Sequence, residues 1–180
     1  MSTTAPIWTL DPTHSSVEFS LAYMGISIYR TGFRALDGTL VFDPADPARA
    51  SVTASIPVSS VEVTNERLLG RLMDDDFFGA KDHPAISFRS TRVEPLEATR
   101  WKVAGDLTMH GQTRPVTLDT RFLGQAKSPF SGKMTAHFRS ETEIDRGQWG
   151  LTWNAAVETG GAYLGERVNI TLQIMAVLQD

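Results

Sequence analysis

The chain has 180 residues, 41% of them apolar and 21% charged, and its 17 basic and 21 acidic side chains give a net charge of −4. This suits one domain able to bury roughly 70% of its unfolded surface, and it excludes a disordered, collagenous or coiled-coil chain. No apolar run approaches the roughly 18 residues of a transmembrane segment, no charge block suits a nucleic-acid partner, and the lack of cysteine removes disulfides, thiolate metal sites and a cysteine nucleophile.

Met1 to Trp8 carries neither a basic nor an apolar export region, so a cytoplasmic location is expected, although the absence of cysteine suits the periplasm equally. From there the dominant period is two, the mark of strands with one buried and one wet face. Val17, Phe19, Leu21 and Tyr23 alternate with Ser16, Glu18, Ser20 and Ala22. A shorter strand is expected over Gly38 to Phe42, closed by the turn Asp43-Pro44-Ala45-Asp46-Pro47, and Val52, Ala54, Ile56 and Val58 mark the next. The rhythm then breaks. Asn65 can cap a short helix in which Leu68, Leu69, Leu72 and Met73 recur at helical spacing before the run Asp74-Asp75-Asp76. Further strands are expected over Ala85 to Val93, Trp101 to Thr108, Val116 to Phe122, Met134 to Ile144 and Val168 to Leu178, with turns at His110-Gly111, Ser128-Pro129 and Gly160-Gly161. No repeat or linker divides the chain, so one domain is expected over residues 1–180.

About eight alternating strands without long helices point to an all-β antiparallel barrel or sandwich, with the helix across one end. The apolar faces are rich in aromatics and are interrupted by Ala54, Gly105 and Ala136. An eight-stranded barrel is either just filled by its own side chains or holds one small ligand. A cavity is therefore the question that the pattern raises.

The polar residues offer little chemistry by spacing alone. His14, His83, His110 and His137 are isolated from one another, and no metal spacing is present. Asp11, His14 and Ser15 contain the residue types of a hydrolytic triad, yet neighbours on a strand point to opposite faces, which opposes their alignment. Asp74 to Asp76 read as a solvated helix end, because no calcium-loop pattern follows them. Trp149 and Trp153, with Arg146, suit either a gate or stacking contact at a ligand mouth or core filling with a snorkelling arginine; Phe77 and Phe78 suit a barrel plug or a contact to whatever the barrel holds.

Five segments then fall in one order: Trp8-Thr-Leu-Asp-Pro-Thr-His14-Ser15-Ser-Val-Glu-Phe19, Phe42-Asp-Pro-Ala-Asp-Pro47, Asp76-Phe77-Phe78 leading to His83-Pro84-Ala-Ile-Ser-Phe88-Arg-Ser90, Gly105-Asp-Leu107-Thr108-Met-His-Gly111-Gln-Thr113-Arg114-Pro115-Val116, and Arg146-Gly-Gln-Trp149-Gly150-Leu-Thr-Trp153-Asn154. Together they resemble the YceI-like polyisoprenoid-binding family, over about Trp8 to Val177. The resemblance implies a lipocalin-like antiparallel barrel, here of eight strands by the period-two count, that encloses a long isoprenoid or a related lipid such as a quinone tail and is a binding protein rather than an enzyme; no cofactor or metal is expected. Expected ligand contacts are Phe19, Leu21, Tyr23, Phe42, Ile56, Phe77, Phe88, Leu107, Leu118, Phe138, Trp149 and Trp153, with Tyr23, Tyr29, Arg30 and Arg146 as polar groups near an opening. Two competing readings are an enzyme on a lipophilic substrate with His14 or His110 as general base, and a module that forms a homodimer through an outer barrel face. The chain departs from the family pattern at Tyr23, where many members carry histidine, and at Leu69 and Arg71, where many carry aspartate and histidine.

Overall fold

A computed structural model describes residues 5–180. Strands β1 (Ile7–Leu10), β2 (Ser16–Tyr23), β3 (Ser27–Phe33), β4 (Asp37–Val41) and β5 (Ser51–Pro57) precede helix α1 (Glu66–Met73). Strands β6 (Ala85–Glu97), β7 (Arg100–Met109), β8 (Gln112–Lys127), β9 (Met134–Asp145) and β10 (Arg167–Leu178) follow it. Every pairing is antiparallel, in the order β1-β4-β5-β6-β7-β8-β9-β10, and pairing of β10 with β1 closes this ring of eight into a barrel. The β2–β3 hairpin is a further flap on the wall.

Two strands share one edge of β10. Its later residues pair with β1, as Leu178 with Trp8, and its earlier ones with β2, as Ile170 with Phe19. Asp11 to His14 leave the sheet between the two, and Ser15 bridges the break: its hydroxyl accepts from Met175 N–H at 3.0 Å and donates to Met175 O at 3.4 Å. Asp11 N–H donates to the same carbonyl at 2.8 Å. A side chain thus supplies the partners that the missing ladder would have given to Met175.

The alternation of residues becomes the alternation of faces. On β7, Trp101, Val103 and Met109 are buried while Lys102 and Asp106 are exposed. Gly105 on the same face makes room for a neighbour, because a Cβ there would stand 2.4 Å from Cζ of Phe88 and 2.6 Å from the Arg89 carbonyl oxygen. The Phe88 ring therefore crosses β7 where a side chain is missing. The expected strands are present, and β1 and β3 are added to them.

Helix α1 starts where its cap predicts, with Asn65 Oδ1 accepting from Leu68 N–H at 3.1 Å. It has no buried residue, and it presents Leu68 and Leu72 to the barrel interior.

Aromatic side chains fill one end of the barrel. Phe42, with no exposed surface, places its ring centroid 5.5, 5.2 and 5.1 Å from those of Trp101, Phe122 and Phe138. Trp8 Nε1–H donates to Phe42 O at 2.9 Å and pins this floor to β1. A second cluster, of Val58, Phe78, Ile86, Met109, Ile144, Trp149 and Leu151, gathers at the opposite end, where β5, β7 and β9 finish and β6 begins.

Candidate functional site

Between floor and helix the barrel encloses a cavity of about 570 Å³. Its wall is nearly all apolar and is contributed by every strand except β1's outer residues, together with α1 and the segment after β9. The cavity runs from the buried Phe42 to Leu68, which is 37% exposed, so it reaches the surface beside α1.

Inward-facing side chains build the wall by simple alternation. Phe19 and Leu21 come from β2, Ile56 from β5, Phe88 from β6, Leu107 from β7, Leu118 from β8 and Phe138 from β9. Phe42 supplies the floor, and Tyr23, Phe77 and Trp153 stand at the open end. Eleven of the twelve expected contact residues thus line one cavity, and Trp149 does not. The 3-10 helix Arg146–Trp149 turns Trp149 into the second cluster, where it is 1% exposed and its Nε1–H donates to Leu107 O at 3.0 Å. Arg30 is likewise absent from the wall, because on β3 it alternates with the inward Tyr29 and faces solvent.

The open end is an aromatic collar. Tyr23 and Tyr163 share a 2.6 Å hydrogen bond between their hydroxyls, and the Tyr163 ring meets Trp153 edge-on at 6.0 Å. Trp153 lies 5.4 Å from Phe77, and the Arg71 guanidinium sits 5.4 Å from the Phe77 centroid and 5.1 Å from that of Trp153. Its Nη1 and Nη2 also pair with Asp74 and Asp76 at 3.5 and 3.1 Å. Arg71 therefore joins helix, acidic run and collar. Of the positions that depart from the family pattern, Tyr23 and Arg71 are on the cavity wall and Leu69 is not.

Electrostatics at this end favour neutral tyrosines around one buried cation. Burial holds the Tyr29 hydroxyl above its ordinary range, and the hydrogen bond from Tyr23, with burial, does the same for Tyr163. Both remain hydroxyl donors at neutral pH. Burial presses the Arg146 guanidinium below its usual range, while Glu166 and Asp145 act in the opposite direction. Arg146 is 7% exposed, and it donates from Nε to Gly165 O at 2.9 Å and from Nη1 to the carbonyls of Leu151 and Trp153. These bonds hold the segment after β9 against the barrel. Asn154 braces the same segment, donating to Leu164 O at 2.7 Å and accepting from Leu164 N–H at 2.9 Å.

The histidines considered as bases occupy other surroundings. His14 Nδ1 meets Asp11 Oδ2 at 3.1 Å on the exposed surface, while Ser15 is bonded to Met175 instead. Burial raises the Asp11 carboxyl, but hydrogen bonds from the His14 side chain and from the N–H groups of Thr13 and His14 outweigh it and leave the value lowered. His110 sits at φ +52° in the two-residue turn between β7 and β8. Its ring fastens that turn to two other elements, with Nδ1 3.0 Å from Trp149 O and Nε2 2.9 Å from Asp75 O. Neither ring faces the cavity. Among the described residues, no three of His, Cys, Asp and Glu gather as a metal site.

Tyr163, Leu68 and Leu72 belong to the wall although the expected contact set omits them. The helical spacing of the two leucines carried the signal for α1; Tyr163 follows the Gly160-Gly161 turn, and no periodicity marks it.

The same architecture occurs in solved structures. BcnA of Burkholderia cenocepacia superposes with a TM-score of 0.80 at 21% identity, over 92% of this chain and 98% of that one. A polyisoprenoid binding domain from Saccharophagus degradans gives 0.67 at 16% identity, over 96% and 98%. In sequence, UPF0312 protein SA2479 of Staphylococcus aureus is 34% identical over 161 residues, 89% of this chain and 91% of the relative. UPF0312 protein SERP2314 of Staphylococcus epidermidis is 32% identical over the same shares. The model of the YceI-like domain matches residues 8–176, and with the closed barrel and its cavity this establishes that the chain belongs to the YceI-like family.

Proposed function

We propose that the protein binds a single long-chain lipid, an isoprenoid or a quinone-type tail, within its barrel, and carries or stores it unchanged. The observation that carries this reading is the cavity of about 570 Å³ with an almost wholly apolar wall that reaches the surface beside α1. Each methylene moved from water onto such a wall gains about 0.8 kcal/mol, so a long tail binds with few polar contacts. Family membership supports the same reading. The Saccharophagus degradans domain is a polyisoprenoid binding domain, and its 16% identity conveys the fold rather than the cargo.

A binding role, as opposed to catalysis, is supported by where the candidate bases stand. His14 is paired at the exposed surface, and both ring nitrogens of His110 face backbone carbonyls, so neither is presented to a substrate in the cavity. The test is organic extraction and mass spectrometry of the protein purified from its native host, followed by incubation with the lipid found. Recovery of one long-chain lipid in near-stoichiometric amount, unchanged after incubation, is expected. An empty barrel, or steady conversion of the lipid to a product, overturns the reading.

A further inference from the structure

The apolar wall contains one deeply buried cation with an unused donor. Arg146 is 7% exposed and lies on the cavity wall, near Leu151 and Trp153. Its Nε and Nη1 are taken by the carbonyls of Gly165, Leu151 and Trp153, whereas Nη2 has no acceptor among the described residues. None of the ion pairs among those residues includes this guanidinium; Asp145, the residue before it, spends Oδ1 on Gly147 N–H at 2.9 Å. Backbone carbonyls supply dipoles, and the nearby carboxylates of Glu166 and Asp145 favour the charge without a direct ion pair to it. Nη2 is not sealed, since the sealed side-chain polar atom without a partner among the described residues is Trp101 Nε1, so water or the acceptor of an incoming group can reach this donor.

The place of Arg146 sets where a head group would sit. It follows β9 at the collar end, while Phe138 on the same strand stands at the floor. The stretch from Phe138 to Asp145 is about 23 Å long at the usual strand rise. A lipid whose head meets Arg146 has that depth of apolar wall for its tail. At the same end the Tyr23 and Tyr163 hydroxyls use one hydrogen in their mutual bond and leave the other to donate.

We propose that Nη2 of Arg146 anchors an anionic oxygen head group, carboxylate or phosphate, of a single-chain lipid that enters tail first and points its tail at Phe42 and Trp101. This rests on the reading of the barrel as a lipid-binding site and adds the class of head group. Charged hydrogen bonds of this kind discriminate by about 10- to 100-fold against a neutral isostere.

The test uses the delipidated full chain and three probes of one chain length: geranylgeraniol, geranylgeranyl monophosphate and geranylgeranoic acid. Wild type is expected to bind at least one of the two anions about 10- to 100-fold more tightly than the alcohol. Preference for the acid alone identifies a carboxylate head, preference for the phosphate alone a phosphorylated one, and either upholds the proposal. Equal affinity for all three, or tighter binding of the alcohol, overturns it and leaves the barrel reading intact. Failure of all three to bind overturns both. In Arg146→Gln, if circular dichroism shows it folded, the ratio of anion to alcohol affinity should fall to about one; a preference that survives the substitution counts against the proposal. Should that variant fail to fold, the wild-type comparison decides alone.

Discussion

At the floor of the barrel Phe42 has no exposed surface and meets Trp101, Phe122 and Phe138 ring to ring, whereas at the collar Phe77, Trp153, Tyr23 and Tyr163 meet one another around a passage. Both ends are aromatic, so residue type does not distinguish them. What differs is the place of the polar atoms. The floor has one indole N–H, of Trp8, tied to a backbone carbonyl and another, of Trp101, sealed without a partner among the described residues. The collar holds two hydroxyls and two guanidinium groups around the space. A filled aromatic end fixes the ring of strands, and the polar-edged one is where the cavity reaches the surface.

The contrast breaks most visibly at the floor. Phe42→Ala removes a ring that several neighbours share and should cost about 3–5 kcal/mol of stability, measured by urea unfolding. A loss below about 1 kcal/mol would show that the floor is loosely packed. Midway, Leu118→Glu puts a carboxylate on the apolar wall with no partner prepared for it. Such a charge costs several kcal/mol, so lipid retention by the folded variant should fall by orders of magnitude. At the collar, Trp153→Ala should cost less stability than Phe42→Ala, because Trp153 is only half-buried. Its expected signature is faster lipid release, read by stopped-flow transfer to vesicles, since it removes the surface on which Arg71 rests. An unchanged release rate would deny the collar its part in holding the ligand.

The smallest effect lies on the outer wall. Arg100 grips Asp119 in two bonds, Nε to Oδ1 at 3.0 Å and Nη2 to Oδ2 at 2.6 Å, and this pairing holds the Asp119 carboxyl below its usual range. A depressed carboxyl contributes stability above its unfolded value, near 3.9, and loses that contribution as pH falls through the lower folded one. Asp119→Asn should therefore flatten the acid limb of the Tm-against-pH curve slightly, with little change at neutral pH. Solvent screening keeps the effect small.

Much of this architecture was legible because burial and alternation coincide along β2, β5, β7, β8 and β9. The strands that escaped notice break that coincidence. β1 is four residues long, too short to display a period. On β3 the inward positions are Tyr29, Thr31 and Phe33, opposite Leu21, Phe19 and Val17, while Ile28 faces outward at 63% exposure. Its apolar residues thus fall on both faces. Trp149 misleads for a related reason: it shares a segment with Arg146 and Trp153, but a turn of 3-10 helix sends it into the second cluster and off the cavity wall. Sequence distance says little about facing where neither period two nor 3.6 applies. Arg146 was legible as a polar group near an opening, but how it is held needed the structure, because its three carbonyl partners are brought together only by the fold.

The flap formed by β2 and β3 has a mechanical consequence. Toward the floor the barrel is a continuous ring of ladders, but among the described residues the outer edge of β3 is tied to the chain before α1 only over its later half, through the Thr31 hydroxyl to Glu62 O, Glu62 N–H to Gly32 O at 2.7 Å and Arg34 N–H to Ser60 O at 2.9 Å. From Ser27 to Arg30 that edge has no backbone partner among the described residues. The wall can therefore yield along this seam by parting side chains, without unzipping a ladder. Girth at the collar is then freer to adjust than girth at the floor, where ladders close the ring, and such adjustment need not wait for global unfolding. Hydrogen exchange should record the asymmetry, with outward-pointing amides of Ser27 to Arg30 exchanging in seconds to minutes while those of central β9 persist to the timescale of complete unfolding.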